Sequence, residues 1–305
     1  MSIIFMGTPD FAVASLKALL DAGEKVVAVV TAPDKPAGRG QKLHQSAVKR
    51  YAQEQSLAIM QPTNLKDPDF LSELKSYQAE LQIVVAFRML PEVVWSMPKK
   101  GTINLHASLL PQYRGAAPIN HAIINGEKES GVTTFLLQHE IDTGNILFSE
   151  KVPISNNDTA GDLHDELMKV GAQLLVKTVQ AIKQNKIEGT PQQTDKETLK
   201  SAPKIHKDDC KINWAQSAKN LHNFIRGLSP YPTAYTRLNG KILKIFKASP
   251  IYEKPDIAVG DYKSDGKSFL RYACTDGYID VEVLQIEGKK RMSVTDFLRG
   301  YQIGQ

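Results

Sequence analysis

The sequence predicts an α/β protein: an open, doubly wound, mostly parallel sheet joined to a second, smaller β-barrel domain. Three observations carry this. Apolar strand-like runs alternate with helical periodicity up to about Gly189, the pattern of a parallel sheet covered on both faces. The composition then turns polar over Gly189–Pro203. Beyond that stretch come short alternating segments punctuated by Gly, Asn and Pro, as in a small barrel. The 305 residues also exceed what one ordinary core holds, since cores stop growing near roughly 250–300 residues. The expected division is a first domain at 1–189, a linker at 190–205 and a second domain at 206–305.

Ser2–Met6 is a continuous apolar run, expected of a strand buried on both faces. Thr8-Pro9 offers an N-cap and a proline suited to the first helical position. Phe11, Leu16, Leu19 and Leu20 follow at helical spacing, and Gly23 ends the helix. Lys25–Thr31 is a second strand, completing a βαβ unit. The pattern repeats with a helix near Ser46–Ser56, a strand near Ala58–Met60, a helix near Pro68–Tyr77 and a strand at Leu81–Ala86. In the next strand, Gly101–Ala107, Ile103 and Leu105 face one way and Asn104 and His106 the other. A short helix near Ala117–Asn125 and a strand at Val132–Leu137 follow. Asp158-Thr159 caps a long helix reaching about Asn185, with Leu163, Leu167, Val170 and Leu174 on one face. Past the linker, a helix near Ser217–Arg226 precedes strands at Ala234–Leu238, Lys241–Ser249, Phe269–Thr275 and Ile279–Gln285.

Hydrophobic residues make up 42% and charged residues 23%, a balance that excludes fibrous and disordered classes. No apolar run approaches the ~18 residues of a membrane span, and the N-terminus lacks the basic start of a signal peptide. Cys210 and Cys274 cannot build a disulfide framework, and no Cys/His spacing suits a metal. A reducing, cytoplasmic setting is expected, with no membrane association. The charge is uneven. From Thr190 to Gln305 there are 19 basic against 13 acidic residues, while the rest holds 19 against 20. Lys211–Pro250 carries no acidic residue but seven basic ones, including Arg226 and Lys247.

Gly7 stands alone without a G-x-G-x-x-G fingerprint, so a dinucleotide-binding loop is poorly supported. Asn104 and His106 are more telling. They project from one face near the carboxyl end of a predicted parallel strand, where open α/β sheets bind ligands. Taken alone, the pair reads more readily as an edge strand with a solvated polar face. Its company decides otherwise. Asn104, His106, Ser108–Pro111, Tyr113-Arg114-Gly115, Pro118 and Asp142-Thr143-Gly144 together resemble the signature of the folate-dependent formyltransferases. Gly7-Thr8-Pro9-Asp10-Phe11-Ala12 and Pro33-Asp34-Lys35-Pro36-Ala37-Gly38-Arg39-Gly40 narrow the resemblance to the branch acting on charged initiator tRNA. The similarity spans essentially the whole chain. One segment departs from it: Ala86-Phe87-Arg88-Met89-Leu90-Pro91 is one residue shorter than the family's pattern and lacks its glycine.

The resemblance implies a Rossmann-like catalytic domain, an OB-like basic domain for tRNA, and transfer of formyl from 10-formyltetrahydrofolate to initiator methionyl-tRNA by a monomer without metal. It implies a catalytic trio of Asn104, His106 and Asp142, the Asn104 amide and a His106 N–H being suited to an oxyanion. Asp142 would fix the His106 tautomer and stabilise its protonated form. Ser108, Leu109, Leu110 and Pro111, with Ala86 and Phe87, would hold the folate. Arg39 would sit in a loop entering the tRNA acceptor end, flanked by Lys35 and Lys42, while Lys204, Lys207, Lys211, Lys241 and Lys244 would meet the RNA backbone. Phe11 reads either as a contact for the methionine side chain or as a core aromatic. His44, His121, His139, His164, His206 and His222 lack partners at ligand spacing and read as structural or exposed. Three competing readings are a formyltransferase acting on a sugar amine or small nucleotide precursor, a nonenzymatic nucleic-acid-binding protein, and an NAD-dependent dehydrogenase. The basic second domain and Arg39 loop oppose the first, the Asn104–His106–Asp142 convergence the second, and the missing glycine fingerprint the third.

Overall fold

The computed structural model describes residues 1–37, 42–193 and 199–301. The chain forms two compact units: Met1–Arg114, Gly131–Val152 and His164–Ser201 make the first, while Gly115–Ser130, Pro153–Leu163 and Ala202–Gln305 make the second.

The elements in chain order are β1 (Ser2–Gly7), α1 (Asp10–Asp21), β2 (Lys25–Val30), β3 (Lys35–Ala37), β4 (Lys42–His44), α2 (Ala47–Glu54), β5 (Ile59–Met60), α3 (Pro68–Ser76), β6 (Leu81–Val85), α4 (Glu92–Trp95), β7 (Thr102–His106), β8 (Arg114–Gly115), α5 (Pro118–Ile124), β9 (Glu129–Leu136), β10 (Ile146–Pro153) and α6 (Ala160–Lys183). They continue with β11 (Ser201–Ala202), α7 (Ala218–Gly227), β12 (Ala234–Leu238), β13 (Lys241–Ile251), β14 (Tyr262–Ser264), β15 (Leu270–Ala273), β16 (Tyr278–Ile286), β17 (Met292–Ser293) and α8 (Val294–Gly300).

The first unit is built on a seven-stranded sheet in the order β10-β9-β7-β6-β1-β2-β5. β1 runs parallel to β2 and β6, β2 to β5, and β6 to β7, whereas β9 is antiparallel to β7. The parallel strands are mostly apolar because both faces are covered; Leu81–Val85 is buried at every position. One face carries a core of Ile4, Met6, Val30, Phe70, Leu74, Val84 and Val94. Caps explain several boundaries. Ser46 accepts from Lys49 N, and Asp67 from Asp69 N and Phe70 N. Thr159 and Asp162 form a reciprocal capping box at the start of α6. The α1 start differs from expectation. Pro9, extended at ψ 179°, occupies the N-cap position, and the Thr8 carbonyl is taken by Val48 N. The single Gly7 serves close packing, since a Cβ there would lie 2.6 Å from the Ala12 Cβ.

The second unit is an antiparallel half-barrel ordered β12-β13-β16-β15-β14, with β17 on β16. Its core gathers Leu221, Ile225, Leu243, Ile245, Tyr272, Val281, Leu284 and Phe297, with Trp214 stacked on Tyr272 at 4.5 Å. Two earlier segments join this unit for visible reasons. Asn120 on α5 donates to the Gly227 carbonyl of α7 at 2.8 Å. Arg226 is 5% exposed and donates to the Asp158 carbonyl at 2.7 Å and to the Asn223 side chain at 3.0 Å. Arg226 is therefore an internal clasp and no part of a basic surface, so the seven basic residues of Lys211–Pro250 do not all face outward. Lys247 is likewise paired, 2.8 Å from Glu282.

Candidate active site

β7 delivers Asn104 and His106 to one face at the carboxyl end of a strand parallel to β6. On its other side, antiparallel β9 sets Asn104 opposite Phe135 and His106 opposite Thr133. His106 is buried, and its Nε2 lies 2.9 Å from the Tyr113 carbonyl oxygen. A carbonyl only accepts, so this contact puts a proton on Nε2 and sets the tautomer. Nδ1 faces Asp142 Oδ2 at 3.8 Å, within ion-pair range but beyond a direct hydrogen bond. The tautomer is thus set by a backbone oxygen, with the carboxylate on the ring's opposite side. Asn104 is half-buried, and among the described residues its amide has no hydrogen-bond partner.

The supporting shell is mostly backbone. Tyr113 adopts a left-handed φ of 60°, and its N–H donates to the Lys200 carbonyl at 2.6 Å. Ser108 donates to the Gln112 carbonyl at 2.6 Å. The Thr133 hydroxyl donates to the Ser108 carbonyl at 2.7 Å and accepts from Leu110 N at 3.2 Å, which holds the Ser108–Pro111 loop on β9. Leu109 fits because residue 131 is glycine; a Cβ there would lie 2.5 Å from Leu109 Cδ2. Sequence reasoning missed Thr133 and Lys200. A strand threonine is ordinary, and a carbonyl leaves no mark on composition.

The segment after β6 leaves the same end of the sheet as this loop, because β6 and β7 are adjacent and parallel. Ala86 is exposed with φ 47°, and Phe87 packs against the core. Arg88 donates to the Thr63 carbonyl at 2.9 Å and also to the Pro62 carbonyl, with its guanidinium carbon 5.6 Å from the Phe87 ring centroid. Partial burial draws the Arg88 pKa below its ordinary value. The loop after β6 is thereby tied to the residues following β5. Phe11 is 6% exposed and meets the His164 ring edge-on at 5.3 Å.

Lys35 is exposed at the start of the β3–β4 pair, where Lys42 pairs with Ala37 through the backbone; Arg39 lies outside the described residues. In the second unit Lys204, Lys207, Lys211, Lys241 and Lys244 are all exposed. Lys211 bridges to Tyr235, which is paired with Lys244, so the three stand in one row across neighbouring segments. Among the described residues no group of three or more His, Cys, Asp or Glu is placed to hold a metal ion.

The class of protein follows from two family models. The formyl transferase model matches residues 1–179 and the formyl transferase C-terminal domain model matches 204–302. The chain belongs to the formyl transferase family, and within it to the methionyl-tRNA formyltransferases. The methionyl-tRNA formyltransferase of Bacteroides fragilis is 49% identical over 99% of this chain and 96% of its own length. That of Azobacteroides pseudotrichonymphae is 53% identical over 98% and 95%. Among solved structures, the N-formyltransferase of Helicobacter canadensis, in complex with folinic acid and dTDP-3-aminofucose, shares 25% identity at a TM-score of 0.66, covering 92% of this chain and 98% of that one. A sugar 3N-formyl transferase, crystallised with dTDP and 5-N-formyl-THF, shares the fold at 24% identity and a TM-score of 0.67, covering 95% and 99%.

Proposed function

We propose that this chain transfers the formyl group of 10-formyltetrahydrofolate to the free α-amino group of methionine on initiator methionyl-tRNA, giving formylmethionyl-tRNA for translation initiation. End-to-end similarity to methionyl-tRNA formyltransferases is the observation that carries this reading. The enzyme works as a monomer in the cytoplasm, and no described helix is long and apolar enough to cross a membrane.

The folate carrier supplies an activated formyl carbon. The attacking amine needs no strong base, since an α-amino group titrates near pH ~8 and loses basicity when its carboxyl is esterified. Positioning and charge stabilisation therefore matter most. The unpartnered Asn104 amide donates to the formyl oxygen as it gains charge, an effect worth roughly 3–4 kcal/mol per donor. As the new C–N bond forms and the old one breaks, the amine gives up a proton and the carrier nitrogen must gain one. His106 is flanked by two acceptors, the Tyr113 carbonyl and the Asp142 carboxylate. A ring carrying both protons would donate to the first and stand in ion-pair range of the second, and that form can hand a proton to the leaving nitrogen. Backbone groups of Ser108, Leu109, Leu110 and Pro111 hold the folate on one side, with Ala86 and Phe87 on the other. Arg39, Lys35 and Lys42 serve the acceptor end of the tRNA. Lys204, Lys207, Lys211, Lys241 and Lys244 meet phosphates, giving salt-dependent affinity. Phe11, buried against His164, backs the methionine side chain.

Radiolabelled formyl should pass from 10-formyltetrahydrofolate to charged initiator tRNA, but not to charged elongator methionyl-tRNA or a free amino sugar. The product should be lost in an Asn104→Ala protein. Transfer to the sugar and to no tRNA would overturn the acceptor assignment.

Arg88→Ala should free the loop after β6 and raise the KM for the formyl donor roughly three- to tenfold, about 0.7–1.4 kcal/mol, with kcat nearly unchanged. Steady-state titration of the donor checks this. An unaltered KM would show that the Pro62 and Thr63 contacts do not shape the folate pocket.

A further inference from the structure

The stretch after α6 reads as a polar linker, yet its start is pinned. Thr190 and Ile146 exchange N–H···O bonds in both directions at 2.8 Å. In antiparallel register, two residues past Thr190 fall opposite two residues before Ile146, so Gln192 meets Gly144. Its side chain uses every group it has there. Nε2 donates to the Asp142 carbonyl at 2.9 Å and to the Gly144 carbonyl at 2.8 Å. Oε1 accepts from Arg114 Nε at 3.1 Å and from Arg114 Nη2 at 2.5 Å. A guanidinium only donates, so Arg114 fixes which end of the amide faces the carbonyls.

What this amide holds matters for the chemistry. Asp142 sits at φ 54°, a conformation non-glycine residues keep only when their surroundings impose it. Its carboxylate stands 3.8 Å from His106 Nδ1. We propose that Gln192 is a positioning residue for formyl transfer: by fixing the Asp142 and Gly144 carbonyls, it holds the Asp142 carboxylate against His106. This rests on the reading of Asp142 as the partner of His106. Glutamate at 192 keeps the Arg114 contact but loses both donors and faces two carbonyls with negative charge. Alanine removes the bridge entirely.

The test is a double-mutant cycle on the full chain, with kcat, both KM values and Tm measured for wild type, Gln192→Ala, Gln192→Glu, Asp142→Asn and Gln192→Ala/Asp142→Asn. Misplacement by an ångström costs up to roughly 100-fold, so Gln192→Ala should lower kcat about 10- to 100-fold with both KM values within about twofold. Gln192→Glu should be no better. In the Asp142→Asn background, Gln192→Ala should cost less than about twofold more, because the two act as a unit. The same loss in both backgrounds overturns the proposal alone. So does a change confined to the KM for tRNA, which would make Gln192 an RNA contact. Wild-type kcat in Asp142→Asn overturns the proposal together with the reading of Asp142.

Discussion

Replacing His106 with alanine is expected to lower kcat for formyl transfer by roughly 10²–10⁴-fold, the range a positioned acid–base group contributes. The ring is buried between the Tyr113 carbonyl and the Asp142 carboxylate, so water is poorly placed to replace it. The KM values should move little, because the folate loop is held by Thr133 rather than by His106. Stability should fall by about 1–3 kcal/mol at most, the cost of leaving a buried carbonyl unpaired. Single-turnover formylation beside a thermal melt separates the two effects. A His106→Ala protein keeping more than about a third of wild-type kcat would remove His106 from the mechanism.

The second large effect is expected at Gly144. A Cβ there would stand 1.6 Å from the Leu136 carbonyl oxygen and 2.8 Å from its carbon. Backbone does not yield as a side-chain tip does, so in Gly144→Ala the Asp142–Gly144 turn must move off the end of β9. That displaces the carbonyl on Gln192 and, with it, Asp142. Overpacking of this kind costs about 1–3 kcal/mol or more, a fall of several degrees in Tm for a chain of this size. The kcat should drop at least about tenfold. A Gly144→Ala protein with wild-type Tm and kcat would show that the turn is looser than its contacts indicate.

Much of the first unit could be read from residues alone. β1, β2 and β6 are continuous apolar runs because a parallel strand is buried on both faces, and Ser46, Thr159 and Ser217 mark helix starts by accepting from the first turn. Asn104 and His106 were legible because a strand's two-residue period puts them together whatever surrounds them. In the second unit, the β12, β13, β15 and β16 segments were visible from alternation and turn residues. β10, with exposed Ser149, Glu150 and Lys151, carries little apolar signal, and α8 is too short for periodicity to register.

The sequence by itself determined most of the longer local elements, the placement of Asn104 and His106 on one strand face, and the resemblance that predicted the chemistry. Only the tertiary structure decided what those groups face. It made Arg226 an internal clasp rather than a surface charge, drew Gly115–Ser130 and Pro153–Leu163 into the second unit, and set the His106 tautomer by the carbonyl of Tyr113. It also turned Gln192, in a stretch that reads as linker, into the holder of the Asp142 turn. The physical reason is one of range. Period, cap and turn signals arise between residues a few positions apart, whereas 48 to 78 positions separate Gln192 from the groups it binds. Two of those partners are backbone carbonyls, which every residue carries alike, so no side-chain pattern can announce them.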